Sequence, residues 1–442
     1  MKKKLIRPLF NMFFRALYYP NYRLYFAGQG ISLIGTWMQQ VAVSWLAYRL
    51  TNSIFMLGLI GFATQAPTLL IVPFSGFLAD RLDRRRLLVV TQTGEMLLAF
   101  IFAALAFAGV ITVWQIILLG VLFGAVNALE MPTRQAFVVD LVEKKEDLAN
   151  GIALHSTLFN GSRLIGPSIA GLVVAAFGEA ICFLINAISF LAAITALLAM
   201  KLPRRKTRGE EQEFLAGIKE GFKYTFGFAP IRSIIFLLAL VSLLGMPYMV
   251  LMPVFARDVL HGGAETLGFL MASIGLGALA GSLYMASRRT VVGLAVNIPL
   301  GAAAFGLGLI LFSLSNNLYL SMALLFLVGS AMMIQMSSSN TIIQTIVDED
   351  KRGRVMGLFS LAFLGMIPFG SLAAGVIANS FGAPNTLAGS GILCLIGAAL
   401  FARQLPAIRQ KIHPIYVKMG IIPEVASGIQ IATGTTVPPE EF

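Results

Sequence analysis

The chain has 442 residues, of which 57% are hydrophobic and only 12% are charged. Because an average soluble domain has roughly 25% charged residues, this composition excludes a soluble fold and indicates a membrane protein. The net charge of +12 would suit nucleic acid, but its placement along the chain has another explanation, and we predict no nucleic-acid partner.

The N-terminal segment, residues 1–21, starts with Met1–Lys4 and resembles the basic end of a signal peptide. Its apolar part is interrupted by Arg7, Pro8 and Arg15, and no small-residue cleavage site follows. We therefore predict a cytoplasmic or interfacial amphipathic segment that leads into the first membrane span.

Twelve apolar segments follow, each with the roughly 20 residues that a spanning helix needs. No alternating strand pattern and no sizeable soluble domain remain, so the fold class is predicted to be all-α and polytopic, with a lipid bilayer as its surroundings. The predicted spans are 22–49, 54–79, 87–109, 112–138, 149–176, 179–200, 230–257, 265–287, 290–314, 318–345, 354–380 and 384–404.

A polar stretch divides these spans six and six. The predicted parts are an N-terminal bundle at 22–201, a cytoplasmic linker at 202–229, a C-terminal bundle at 230–404 and a cytoplasmic tail at 405–442.

The two bundles are related in sequence. Ala170–Gly178 matches Ala374–Gly382 at an offset of 204, and Leu57-Gly58 matches Leu267-Gly268 at an offset of 210. Paired six-helix halves place a small-molecule site near the membrane midplane, open alternately to each side. Chance similarity between Ala/Gly-rich helices is the alternative.

Basic residues concentrate on one side of the predicted membrane. With the N-terminus in the cytoplasm, all but four of the 33 Lys and Arg residues fall in cytoplasmic loops and tails or at the cytoplasmic ends of spans. This asymmetry follows the positive-inside rule. We therefore predict a multi-pass protein whose termini are both cytoplasmic and whose charge orients it in the membrane.

The loop after the second span reads Gly76-Phe-Leu-Ala-Asp-Arg-Leu-Asp-Arg-Arg-Arg86. It closely resembles the G-x-L-A-D-R-x-G-R-K/R signature of major facilitator superfamily transporters, with Asp83 in place of the usual glycine. In that family the loop stabilises one of the two access states. The resemblance implies the same gating role for Gly76, Asp80, Arg81, Arg84 and Arg85; an ordinary basic turn is the alternative.

The fifth span carries Ser162–Gly171, which resembles the antiporter signature g-x-x-x-G-P-x-x-G-G of the same superfamily. Small residues allow close helix approach, and proline bends the helix. The resemblance implies an exporter with a functional Gly166, Pro167 and Gly171. Helix packing alone is the alternative.

Ionisable groups at membrane depth are costly and usually functional. Glu130 and Arg134 are four residues apart and share a helix face. For Glu130 and Arg134, the alternative is a structural ion pair beside Pro132. For His155, the alternative is a role in packing. Arg163 either fixes helix packing or binds an anionic substrate. The candidates for proton coupling are Glu130, Glu95, Arg163, Arg134 and His155.

The superfamily resemblance also implies that spans 1, 4, 7 and 10 line the central cavity. Methionine is adaptable and suits bulky ligands of mixed polarity, although it packs in many membrane helices. The cavity candidates are Gln29, Thr36, Trp37, Gln40, Met249, Met252, Met333, Gln335, Met336 and Asn340.

The chain shows no pattern for a metal site, a cofactor or an enzyme. His155, His261 and His413 are scattered, and no nucleophile lies in a recognisable pairing with a base. We predict no metal, no cofactor and no catalytic residue.

Further segments narrow the resemblance to the bacterial branch of the superfamily that includes the enterobactin exporter. They are Gly35–Gln40, Leu50–Ser53, Pro132–Gln135, Asn150–Ser156 and Asn160–Pro167. The resemblance implies proton-driven export of an amphiphilic, siderophore-like or drug-like molecule across the bacterial inner membrane, with one chain sufficient. An importer, a facilitator, a lysolipid flippase or, less expected, a non-transporting sensor remain as alternatives.

Overall fold

The computed structural model describes residues 14–202, 214–288 and 290–422, and it describes no side chain within 73–80 or 214–219. Its described residues form helices and no strand. The predicted all-α polytopic class is confirmed.

The first half contains a short 3-10 helix, Arg15–Tyr18, and six α-helices. These are α1 Pro20–Thr51, α2 Ile54–Arg81, α3 Arg84–Phe107, α4 Val113–Asp140, α5 Lys145–Phe177 and α6 Glu179–Ala199. The predicted linker contains α7, Phe214–Gly227. The second half comprises α8 Ala229–Leu240, α9 Tyr248–Val254, α10 Ala264–Ser287, α11 Leu294–Ser313, α12 Leu318–Ile346, α13 Arg352–Leu364, α14 Met366–Phe381 and α15 Ala383–Lys418.

Eleven helical segments of the described chain are long and apolar enough to cross a membrane. One of them, Ala229–Val259, joins α8 and α9, and another, Arg352–Phe381, joins α13 and α14. Helix α1 is not among the eleven, and it carries the polar residues Gln29, Gln39 and Gln40. It nevertheless packs inside the first half against α5 and α6, so the architecture agrees with twelve spans.

The segment that joins α8 and α9 is not a regular helix. Two π-helical turns, Val241–Gly245 and Phe255–Val259, flank α9. Pro247 and Pro253 lie next to them, and proline cannot donate the main-chain bond that a regular helix needs. π-turns of this kind often occur at functional sites.

The last helix is longer than predicted. We expected a span that ends at 404, but α15 continues to Lys418. Ile408, Ile412 and Tyr416 follow one another at four-residue intervals and are all buried, so the extension packs one apolar face on the bundle. Residues 423–442 of the predicted tail lie outside the described part of the chain.

The sequence repeat has a structural counterpart at two turns. Gly178 between α5 and α6 has φ +83°, and Gly382 between α14 and α15 has φ +80°. Only glycine adopts this conformation without strain. The matching residues Ala170–Gly178 and Ala374–Gly382 therefore end in the same sharp turn in both halves.

The halves meet along two helix pairs, α5 with α10 and α2 with α14. We call the end of the molecule that carries the α2–α3, α4–α5 and α12–α13 loops the basic end, because Arg84, Lys144 and Lys351 lie there. The other end, which carries the α1–α2, α5–α6 and α14–α15 turns, is called the opposite end.

Candidate functional site

A group of polar side chains is buried within the first half. We call it the buried cluster; its members are Gln29 of α1, Gln92 and Glu95 of α3, and Asn127, Glu130 and Arg134 of α4. Gln92 is fully buried, and Glu95 and Glu130 each expose 1% of their surface. Spacings of three, four and seven residues place the α3 and α4 members on helix faces that meet.

Hydrogen bonds connect most of the buried cluster. Gln92 Nε2 donates to Gln29 Oε1 at 2.9 Å and to Glu130 Oε1 at 3.3 Å. Arg134 Nη1 also donates to Glu130 Oε1, at 3.2 Å. Asn127 Nδ2 donates to Glu95 Oε1 at 3.3 Å, and the Glu95 and Glu130 carboxyl groups are direct neighbours. Two carboxyl groups thus share one guanidinium.

The hydrogen-bonding capacity of the buried cluster is only partly used. Within the described part of the chain, Glu130 Oε2, Gln92 Oε1 and Arg134 Nε are enclosed and have no hydrogen-bond partner. An enclosed polar atom without a partner costs about 1–3 kcal/mol, so such groups are usually retained for function. The unpaired Glu130 Oε2 is a position at which the acid pair can accept a proton.

Both acids lie deep in the bundle. Glu95 is 11 residues after the first residue of α3, and Glu130 is 10 residues before the last residue of α4. At 1.5 Å per residue both lie about 15 Å from the basic end. That depth is half of a hydrocarbon core of about 30 Å.

His155 borders the buried cluster from α5. Its Nδ1 lies 3.2 Å from the Tyr25 hydroxyl, and Tyr25 itself is buried against Phe137. Of the five predicted proton-coupling residues, the structure therefore brings Glu95, Glu130, Arg134 and His155 together and places Arg163 elsewhere.

Arg163 lies between the two halves. It is 18 residues after the start of α5, and it exposes 8% of its surface. Its guanidinium carbon lies 5.7 Å from the centroid of the Trp37 ring. On its other side, a Cβ atom added to Gly275 of α10 would lie 2.7 Å from the Arg163 carbonyl oxygen. Arg163 therefore contacts both halves near the middle of the molecule.

The other cavity candidates are distributed among several environments. Gln40 is exposed, Thr36 donates to the Ser32 carbonyl, and Gln29 belongs to the buried cluster. Gln335 exposes 1% of its surface and packs against Gly301 of α11. Met252 is enclosed, Asn340 accepts a hydrogen bond from Gln344, and three further methionines are half-buried: Met249, Met333 and Met336.

The loop arginines hold the start of α3 to its neighbours. Arg84 Nη1 donates to the Ala136 carbonyl at 3.1 Å and to Asp140 Oδ2 at 3.0 Å. Arg85 Nη2 donates to the Leu198 carbonyl at 2.7 Å. Asp83, where the family pattern has glycine, caps α3 by accepting from the Arg86 amide at 2.9 Å. Arg81 is exposed, and Gly76 and Asp80 fall within 73–80, outside the described side chains.

The antiporter-type segment packs against both halves. A Cβ atom on Gly166 would lie 2.5 Å from Trp37 Cβ in α1, and one on Gly171 would lie 2.8 Å from the Ala264 carbonyl of α10. The intervening Pro167 carbonyl faces Gly268 of α10. This stretch of α5 therefore fixes the contact between the halves.

Contacts between the halves close the opposite end. The Tyr48 hydroxyl of α1 donates to Asp258 Oδ2, and Arg257 Nη1 donates to Asn52 Oδ1 at 2.9 Å. Gly58 of α2 meets Gly375 of α14 in addition. These contacts join the two halves at the opposite end.

Sequence reasoning missed Gln92, Asn127 and Tyr25 in the first half, and Tyr48 with Asp258 between the halves. A signal existed for Gln92, which is three residues before Glu95 in an otherwise apolar span. Tyr25 and Tyr48 carried no such signal, because tyrosine is frequent near membrane interfaces.

Two helical bundles, buried charge at mid-depth and one closed end define a membrane transport protein of the major facilitator type. The chain belongs to the transmembrane secretion effector family of that superfamily, whose model matches residues 11–424. The protein is a multi-pass membrane transporter and not an enzyme, as the predicted resemblance implied.

Similar proteins include two named transporters. The staphyloferrin A transporter of Staphylococcus aureus is 26% identical over 371 residues, which cover 84% of this chain and 92% of the relative. The multidrug efflux pump Tap of Mycobacterium tuberculosis is 26% identical over 396 residues, which cover 87% of this chain and 91% of the pump.

Solved structures share the fold at low sequence identity. A peptide transporter of the POT family has a TM-score of 0.70 at 13% identity, covering 88% of this chain and 94% of that one. A bacterial homologue of the human lysosomal transporter Spinster, inward-facing and occupied, has a TM-score of 0.68 at 14% identity, covering 89% and 96%.

Proposed function

We propose that the protein is a proton-coupled exporter of an amphiphilic small molecule, siderophore-like or drug-like, that works by alternating access in the bacterial inner membrane. A siderophore transporter and a drug efflux pump among its relatives support this class of cargo. One chain contains both halves, so a monomer is sufficient for the transport pathway.

The buried cluster is the observation on which proton coupling rests. Glu95 and Glu130 are neighbouring acids with a single arginine, Arg134, beside them. If both acids were ionised, one negative charge would remain uncompensated in a low-dielectric interior, which is costly. One proton on the pair removes that charge. Release of this proton is the step that we assign to the transport cycle.

Helix α1 offers a physical connection between the proton and the cargo. It carries Gln29, which bonds to the buried cluster, and Trp37, which contacts Arg163. These residues are eight positions apart, or about 12 Å along the helix. A change in the hydrogen bonds of Gln29 on proton release would therefore move the helix that lines the cargo site.

The two ends of the molecule support export as the direction of transport. By the positive-inside rule the basic end faces the cytoplasm, and the opposite end is held shut by Tyr48, Asp258 and the glycine contacts. This state suits loading from the cytoplasm. Packing of the antiporter-type segment against α10 supports export over import, because a continuous seal limits leak between the halves.

The test is proton-coupled flux in inside-out membrane vesicles whose interior has been acidified. Siderophores, amphiphilic drugs and lysolipids are added in turn, and collapse of the pH gradient is followed by fluorescence. Glu95→Gln and Glu130→Gln are compared with wild type. Glu146→Gln is the matched control, because Glu146 is an exposed acid in the first turn of α5.

Export by antiport predicts that one class of compound collapses the gradient in wild type and in Glu146→Gln, and that Glu95→Gln or Glu130→Gln abolishes this. Labelled compounds that equilibrate without proton movement would instead identify a facilitator or a flippase. Compounds that bind without any flux would identify a sensor, and accumulation towards the cytoplasmic side would identify an importer.

A further inference from the structure

Arg163 is a buried cation without a counter-charge. Among the described residues no carboxylate pairs with it and no hydrogen-bond acceptor receives its guanidinium protons. A buried charge is normally paired, because its desolvation is otherwise not offset. The absence of a partner within the described chain indicates that the partner is brought in by something else.

The acids of the surrounding helices are already engaged. Glu130 is bonded to Arg134, and Glu95 to Asn127, both in the buried cluster. Glu179 forms an ion pair with Arg49 at 2.8 Å at the opposite end, and Asp258 accepts from Tyr48. None of these carboxylates is available to neutralise Arg163.

A second group near Arg163 also lacks a partner. Tyr248, at the start of α9, is within electrostatic reach of the guanidinium. Its side chain is fully buried, and among the residues that the structure describes its hydroxyl has no hydrogen-bond partner. An enclosed hydroxyl is normally satisfied, so a free donor within electrostatic reach of an unpaired cation suits an oxyanion site.

Aromatic rings define the body of the ligand that would fit. Trp37 lies against the guanidinium, and Phe159 meets Trp37 edge-on with the ring centroids 5.9 Å apart. Gln40 is exposed three positions after Trp37 on α1. A ligand that reaches Arg163 therefore places an apolar or aromatic body beside these rings, with its anionic group at the cation.

We infer that Arg163 and Tyr248 bind an oxyanion of the cargo, and that the cargo is accordingly an amphiphilic anion with an aromatic or apolar body. This inference rests on the proposed transport function and adds the substrate class to it. The oxyanion is a carboxylate of a small organic acid or a phosphate of a lysolipid, and both place anionic oxygens at the guanidinium.

Binding of matched probes tests the inference. The purified full-length protein in detergent is titrated calorimetrically, without a proton gradient, with 2-naphthoate, its uncharged isostere 2-naphthamide and a lysophosphatidate. We expect at least one anion to bind at least tenfold more tightly than naphthamide. Preference for naphthoate identifies a carboxylate, and preference for lysophosphatidate identifies a lipid phosphate.

Variants connect that preference to the two residues. Arg163→Gln should reduce binding of the preferred anion to the level of naphthamide and leave naphthamide unchanged, which also shows that the variant is folded. Arg163→Lys should restore part of the preference, and Tyr248→Phe should weaken anion binding by a few-fold. Arg403→Gln, which alters an exposed arginine of α15, is the matched control and should bind as wild type does.

Two results would overturn the inference: no anion is preferred over naphthamide, or Arg163→Gln keeps the preference. Failure of the proposed function is distinguishable from either result. Anion binding that depends on Arg163, together with flux that is indifferent to Glu95→Gln and Glu130→Gln, would remove proton coupling and leave the substrate class standing.

Discussion

A Cβ atom added to Gly171 of α5 would lie 3.0 Å from the Cα atom of Gly268 in α10. The equivalent atom on Gly375 of α14 would lie 2.8 Å from the Cα atom of Gly58 in α2. Gly171 and Gly375 match at the repeat offset of 204, and Gly58 and Gly268 match at the offset of 210. The two contacts are therefore pseudo-symmetry mates.

Both contacts lie towards the opposite end, and both are made by main-chain atoms that cannot move aside. Small residues at such crossings allow helices to approach closely. Under the proposed alternating access this end separates during each cycle, and the paired glycines would provide a close seal that involves no long side chain. The repeat thus supplies the same seal twice.

Gly171→Ala should shift the protein towards the state that is open at the opposite end, because its methyl group would collide with the α10 main chain. The measurement is labelling of Met249→Cys by a membrane-impermeant maleimide applied to whole cells, with Cys182 and Cys394 replaced by alanine. We expect labelling to be several-fold faster than in the parent protein, which carries Met249→Cys and the two cysteine replacements but keeps Gly171.

Gly161→Ala is the matched control on the same helix, since a Cβ atom there has no neighbour within 4 Å. It should label as the parent does. Equal rates for Gly171→Ala and Gly161→Ala would show that the contact does not hold the end closed.

The hydrogen bond from Tyr48 to Asp258 is a second element of this closure. Tyr48→Phe removes the bond and leaves the ring beside Arg257 in place. A hydrogen bond to a charged group contributes about 1.5–3 kcal/mol, so Tyr48→Phe should raise the open population about tenfold or more. The same labelling assay measures it.

A double-mutant cycle separates this bond from other effects. If the two residues act through one bond, adding Asp258→Asn to Tyr48→Phe should cause little further opening. Additive effects of the two substitutions would contradict a direct interaction across the halves.

Helix α7 is held at the basic end by charge. Glu220 Oε1 lies 3.1 Å from Lys351 Nζ, and Glu220 also pairs with Arg354. The hydrogen bond to Lys351 and the charge of Arg354 lower the pKa of Glu220 from its ordinary 4.5, and the bond to Glu220 raises the pKa of Lys351 from its ordinary 10.5.

The attachment of α7 should therefore depend on pH in a defined way. Because the pKa of Glu220 is lowered, Glu220 stabilises the attachment above pH 4.5. This stabilisation is lost as the pH falls through the lowered pKa of Glu220. Because the pKa of Lys351 is raised, Lys351 stabilises the attachment below pH 10.5. This stabilisation is lost as the pH rises through the raised pKa of Lys351.

Limited proteolysis of the linker before α7 measures this attachment. Cleavage should accelerate as the pH falls below 4.5 and through the lowered pKa of Glu220. Glu220→Gln should give fast cleavage at every pH and abolish the acid dependence. Retention of the acid dependence in that variant would assign it to another group.

The sequence predicted some parts of this arrangement because their signals are local. The four-residue spacing of Glu130 and Arg134 fixes a shared helix face whatever surrounds it, and the repeat offsets already related the glycines of one contact between the halves to those of the other. The role of Gln92 depends on where α1 and α4 lie beside α3, which no local pattern encodes. The π-turns around α9 likewise reflect packing against neighbours as well as the nearby prolines.

The pairing of Glu130 with Arg134 can be distinguished from a proton site by stability and transport measured together. Arg134→Gln leaves two buried acids without a cation, and breaking a buried pair from one side costs about 3–5 kcal/mol. The variant should unfold at a clearly lower temperature in detergent. Glu130→Gln with Arg134→Gln removes both charges and should recover most of that loss.

Under the proposed coupling, transport should not recover in the double variant, because one acid of the proton-binding pair is gone. Thermal unfolding followed by tryptophan fluorescence measures the stability, and collapse of the pH gradient in vesicles measures the transport. A double variant that is stable and still exchanges cargo for protons would mean that Glu130 and Arg134 brace α4 and that Glu95 alone carries the proton. A stable double variant without exchange would place the Glu130–Arg134 pair in the proton path, since lost stability would then not explain the lost exchange.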